Sequence, residues 1–100
     1  MKPADSAMDE VIHQSTRLRI MTALQALRKD EWIEFVRLKA LLGASDGNLG
    51  AHLETLSRAA YVEIDKQIAG KKPLTRIRST SAGRAAYRQH VAQLRALLDM

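Results

Sequence analysis

The chain has no cysteine, which excludes disulfides, thiol nucleophiles and cysteine-ligated metal sites. It has only four aromatic residues, Trp32, Phe35, Tyr61 and Tyr87, so its core must be built from Leu, Ile, Val and Ala, a composition that suits helices. No apolar run reaches the roughly 18 residues that a membrane-spanning helix needs, and no membrane partner is expected. The opening Met-Lys-Pro-Ala-Asp-Ser-Ala-Met-Asp-Glu lacks the apolar segment of a secretory signal, and the simple expectation is a cytoplasmic protein. Glycine-rich phosphate loops and nucleophile elbows are missing too. The histidines, His13, His52 and His90, have no ligand-spaced companions, so neither a metal site nor a cofactor is expected. Together these absences argue against an enzyme.

Acidic charge is scarce in one stretch only. Between residues 58 and 88, Arg58, Lys66, Lys71, Lys72, Arg76, Arg78, Arg84 and Arg88 face only Glu63 and Asp65, whereas residues 1–57 are slightly acidic. The net charge of +5 is therefore concentrated in the second half, which is the electrostatic footprint of a protein that meets a polyanion.

One hundred residues without repeats, low-complexity tracts or long linkers make a single domain over 1–100. Ser6 or Asp9 can cap a first short helix carrying Val11 and Ile12, and Ser15 can cap the next, from Thr16 to about Arg28. The pattern over 6–28 fits one bent helix or two. Lys29-Asp30-Glu31 reads as a turn, Trp32-Ile33-Glu34 as a short extended piece, and Phe35 to Leu42 as a helix. Gly43 is the expected C-cap and Ser45 the next N-cap, which leaves a tight turn between two helices.

The helix over 45–59 organises the rest of the chain. Leu49, Leu53, Leu56 and Ala60 recur on one side, and Gly47, Ala51, Glu54, Thr55 and Arg58 lie opposite, flanked by Asn48 and Gly50. Each glycine costs about 1 kcal/mol in a helix interior relative to alanine. Small residues on that outer face let a large partner approach closely. Two strands follow, with Val62, Ile64 and Ile68 alternating against Glu63, Asp65 and Gln67, then a turn over Ala69–Pro73 and a return strand over 74–78. Ile77 faces the core while Arg76 and Arg78 share the other side. Thr80 caps a last helix over 81–98, where Tyr87, Val91, Leu94 and Leu98 form a seam suited to packing or to pairing with a second copy.

This order, with Arg17-Leu18-Arg19-Ile20, Phe35-x-x-Leu38, Ser45-Asp46-Gly47-Asn48-Leu49-x-x-His52-Leu53-x-x-Leu56, Tyr61-Val62 and Thr80-x-x-Gly83, resembles winged-helix transcriptional regulators. More narrowly, it is similar to small stand-alone members related to the MarR and ArsR groups. The resemblance implies a mainly α fold with a small β-hairpin wing, a winged helix-turn-helix over 9–80 and an additional C-terminal dimerisation helix over 81–98. It also implies a homodimer on double-stranded DNA, acting as a regulator and by family habit a repressor, with helix 45–59 in the major groove and the wing beside it. The sequence departs from the resemblance at Ala60, where those families have a left-handed glycine, so a different helix ending is expected. It also departs in lacking the metal ligands of ArsR sensors.

On this basis the candidate DNA contacts are Ser45, Gly47, Asn48, Ala51, Thr55, Arg58, Lys71, Lys72, Arg76 and Arg78. Asn48 can bridge adenine N6 and N7, and Thr55 can meet a thymine methyl. Lys71 and Lys72 meet phosphates or enter the minor groove, and Arg58, Arg76 and Arg78 meet phosphates. Glu54 is expected to pair with Arg58 one turn on, and His52 to pack at the edge of the apolar side. Candidate dimer contacts are Ile12, Tyr87, Val91, Leu94 and Leu98. An alternative keeps the fold but docks a protein on the same face. The sequence names no operator and no effector.

Overall fold

The computed structural model describes residues 9–100. Its elements run α1 (Glu10–His13), α2 (Ser15–Gln25), β1 (Ile33–Glu34), α3 (Phe35–Leu42), α4 (Asp46–Arg58), β2 (Val62–Ala69), β3 (Lys72–Ser79) and α5 (Ser81–Leu98). The three strands form one antiparallel sheet in the order β1-β3-β2. Residues 9–28 make two helices. Asp9 accepts from the amides of Val11 and Ile12 at 2.9 and 3.1 Å, and Gln14, extended at ψ 132, separates α1 from α2. The alternative cap Ser6 lies outside the described residues. Gln14 also replaces Ser15 as the cap of α2, because its longer side chain accepts from the Arg17 amide at 2.9 Å. Helix α2 stops short of Arg28. The amides of Ala26 and Leu27 bond back only three residues, Glu31 takes the Arg28 amide at 2.8 Å, and Asp30 turns left-handed at φ 67.

The turn into α4 follows from local chemistry. Gly43 is left-handed at φ 63 and the Ala44 amide reaches back to the Lys39 carbonyl at 3.2 Å. Ser45 then accepts from the Asn48 amide at 3.2 Å, and Lys39 pairs with Asp46 at 2.7 Å across the turn. Leu49, Leu53 and Leu56 bury the inner side of α4 against Ile12, Ile20, Met21, Leu24, Ile33, Leu38, Val62 and Ile77. Ala60 does not continue that side. It stands outside the helix, exposed and left-handed at φ 66, with the Tyr61 amide bonded to the Leu56 carbonyl at 2.9 Å. The helix thus ends in the left-handed conformation that a glycine would supply, not in a different one, and alanine bears about 1–2 kcal/mol of strain for it.

The hairpin turn is shorter than Ala69–Pro73. Ala69 pairs with Lys72, which leaves Gly70-Lys71 as a two-residue turn, with the left-handed φ of 67 falling on the glycine. Pro73 sits in β3 without conflict because β1 pairs only with Arg76 and Ile77, leaving that part of β3 open on one edge.

Tyr61 closes the domain by donating its hydroxyl to Asp9 at 2.6 Å. That bond, burial and the nearby carboxylate together push the phenol up to about 12. The folded state therefore favours the neutral phenol. Its contribution is present below the ordinary tyrosine value of about 10 and is lost as pH rises toward the folded value. Spectrophotometric titration of a Tyr87→Phe variant, in which only Tyr61 absorbs as a phenolate, should show ionisation well above pH 10; ionisation at the free-tyrosine value would remove the Asp9 contact.

Candidate nucleic-acid interface

The outer side of α4 is open along its length. Ser45, Asp46, Gly47, Asn48, Ala51, Glu54 and Arg58 are exposed, and Thr55 is half-buried with its hydroxyl donated to the Ala51 carbonyl at 3.3 Å. A β-carbon added at Gly47 or Gly50 would find nothing within 4 Å. No internal contact therefore requires glycine at either position, although each weakens the helix by about 1 kcal/mol. Arg58 stands 3.9 Å from Glu54 on an exposed surface, where such a pair contributes only tenths of a kcal/mol. His52 turns its Nδ1 to the Arg17 guanidinium at 3.1 Å, and Arg17 also donates to the Val11 carbonyl, so the histidine joins α4 to α1 and α2.

The wing has two unlike faces. On the side away from α4, Arg76 grips Asp65 at 2.7 Å and Arg78 grips Glu63 at 3.0 Å. The Glu63 hydrogen bond drives the Arg78 guanidinium further up from its already high value. Both arginines lie over Trp32, at 4.7 and 4.3 Å from the ring centroid, a double cation–π contact. Arg76 and Arg78, expected at phosphates, are thus half-buried and held within the sheet by acids on the neighbouring strand. Trp32 is the plate beneath them. On the other side, Phe35, Gly50, Leu53, Glu54, Ile64, Lys66 and Thr75 line a groove of about 220 Å³ between α4 and the sheet. Lys66 was legible as a base on this side, because it follows Val62 and Ile64 at the two-residue strand period, but its charge alone did not single it out. Among the described residues, Lys66, Lys71 and Lys72 have no carboxylate within 4.0 Å.

The candidate dimer contacts separate. Ile12 is wholly buried in its own chain, part of the core where α1 meets α2, so it is not free to meet a second copy. Tyr87 packs on the same core and its hydroxyl meets that of Thr22 at 2.9 Å. Val91 and Leu94 are half-buried, while Leu97 and Leu98 beyond them are 52% and 82% exposed. His13 and His90 meet edge to face at 5.4 Å, and burial and the neighbouring ring hold His90 below the usual imidazole range. No helix of the described residues is long and apolar enough to cross a membrane.

Comparison with known proteins places this geometry in context. Residues 16–98 match a family described as winged helix DNA-binding domain. The chain is 31% identical over 85 residues to an uncharacterized protein of Methanocaldococcus jannaschii, a span of 85% of this chain and 89% of that protein. The structure of a transcriptional regulator homologue protein from Pyrococcus horikoshii OT3 superimposes with a TM-score of 0.82 at 26% identity, over 95% of this chain and 92% of that one.

Proposed function

The chain belongs to the winged helix DNA-binding domain family, and from that premise we propose that it is a non-enzymatic, homodimeric transcriptional regulator of the small stand-alone kind related to the MarR and ArsR groups. It binds a pseudo-palindromic operator and represses by excluding polymerase. The observation that carries this reading is the exposed, glycine-thinned outer side of α4 standing beside a wing whose lysines, among the described residues, have no acidic partner. α4 enters the major groove. Ser45, Gly47 and Ala51 admit the duplex edge, Asn48 and Thr55 read bases, and Arg58 meets a phosphate at the far end. Lys71 and Lys72 at the wing tip meet phosphates or the minor groove, while Arg76 and Arg78 hold the wing rigid on Trp32. The exposed end of α5 joins Val91, Leu94 and Leu98 of two copies, so that two α4 helices address grooves about 34 Å apart.

Fluorescence anisotropy on duplex DNA over a range of salt tests this. Replacing Lys71 and Lys72 together by alanine should weaken binding to every sequence and flatten the logarithmic salt dependence by about 0.9 for each lost phosphate contact. An unchanged slope removes the wing tip from the interface. Asn48→Ala should instead relax preference at a single base position, by about 1–3 kcal/mol if the amide is bidentate; equal losses on all sequences would contradict base reading. Negligible duplex affinity at low salt would favour a protein partner on the same face.

A further inference from the structure

One buried titratable group has no part in the surfaces described above. The imidazole of His90 in α5 is wholly buried, and among the described residues neither of its ring nitrogens has a hydrogen-bond partner. A buried polar group left in that state is costly, and a buried unpaired charge far more so. One helix packed on it is α1, whose His13 ring meets it edge to face at 5.4 Å. That helix is only four residues long and its ties are few. Asp9 caps it and takes the Tyr61 hydroxyl, Ile12 enters the core, and Arg17 holds the Val11 carbonyl. The charges that act on His90 come from the same side, His13 against its protonation and Asp9 for it, while α2, also packed on α5, contributes none. Asp9 is already engaged, since one oxygen accepts the Val11 and Ile12 amides and the other the Tyr61 hydroxyl. Gln93, one turn on in α5, leaves its Oε1 unpartnered as well and does not hold the ring.

We propose that His90 makes the contact between α1 and α5 a proton-operated latch: once the imidazole is charged, α1 leaves α5 and the ring reaches water. Asp9 goes with α1, so Tyr61, which follows α4 and whose carbonyl accepts the Thr80 amide at the start of α5, loses its hydroxyl partner. The closed form holds His90 below the usual imidazole range, chiefly by burial and then by the His13 ring. The latch is therefore fully closed above about pH 6.5 and loses its advantage as pH falls from there toward the lower closed-form value.

Amide hydrogen exchange of the whole chain, resolved by NMR over about pH 7.5 to 5, tests this. Protection of the Val11, Ile12 and His13 amides should fall about tenfold for each pH unit below ~6.5, the dependence that uptake of one proton on opening produces. It should stay below the protection of the Leu53 amide in α4 throughout. His90→Leu should abolish the pH dependence and leave α1 protected in acid. His90→Gln, polar but unable to take a proton in this range, should do the same, and it keeps the test open if leucine disturbs the packing. Wild-type α1 protection that does not change with pH overturns the latch. So does a fall that persists in either folded variant, because another group then takes the proton. Equal protection of α1 and Leu53 at every pH also overturns it, since the domain then opens only as a whole.

Discussion

Gly83→Ala should be among the most damaging single-atom additions this domain can receive, lowering stability by about 3 kcal/mol and the melting midpoint by roughly 15 °C. The added β-carbon would lie 2.1 Å from the Tyr61 carbonyl oxygen and 2.9 Å from its carbon, both backbone atoms, and 3.0 Å from the Ser79 hydroxyl. None of these moves cheaply, since the Tyr61 carbonyl also accepts the Thr80 amide at 3.1 Å. Thr80 in turn donates its hydroxyl to the Ala60 carbonyl at 2.7 Å and accepts the Gly83 amide at 2.9 Å. Relieving the clash means lifting the first turn of α5 off this set of bonds. The alanine gains about 1 kcal/mol of helix propensity, which offsets only part of the loss. Thermal unfolding by circular dichroism decides the matter: a fall of less than about 4 °C would mean that α5 can settle without this close approach. The contrast with Gly50, where the same substitution meets empty space, separates a glycine required by packing from one that no contact among the described residues requires.

If two copies pair through the end of α5 as proposed, replacing Leu97 and Leu98 together by aspartate should leave the chain monomeric and reduce affinity for a two-half-site operator by about 10²–10⁴, the advantage that a second tethered site confers. Both side chains are largely exposed in the single chain, so the fold should survive and the melting curve of the monomer should stay cooperative. Sedimentation equilibrium gives the mass, and affinity for a single half-site should be nearly unchanged. A double variant that still sediments as a dimer would place the subunit contact elsewhere than the end of α5.

Local signals carried much of the architecture. The leucines of α4, the Gly43–Ser45 turn, the alternation in β2 and the Thr80 cap each follow from residues within one turn or one strand of one another, and each stands where the spacing put it. Features that depend on distant pairing were not visible. Trp32 finds its arginines only because β1 docks beside β3, and Ile12 is buried only because α1 folds back onto α2. The neutralisation of Arg76 and Arg78 lies between these cases. Once the turn is reduced to Gly70-Lys71, the register fixes Asp65 opposite Arg76 and Glu63 opposite Arg78. A turn over Ala69–Pro73 shifts that register by one and separates the acids from the arginines, which is why the pairing does not follow from the sequence alone. Ala60 shows another limit, because tertiary anchoring through Tyr61 and Thr80 outweighs its preference against a left-handed backbone.

The rooting of α5 on the Tyr61 carbonyl also makes that helix a lever. Eighteen residues extend about 27 Å at the α-helical rise, so a tilt of ~5° at Gly83 sweeps the far end through roughly 2 Å, more than half the 3.4 Å step between stacked bases. The fulcrum is also the exit of α4, so angular changes at one are felt at the other. In a molecule paired as proposed, whatever grips the leucines at the tip would therefore tune the separation of the two α4 helices from a distance.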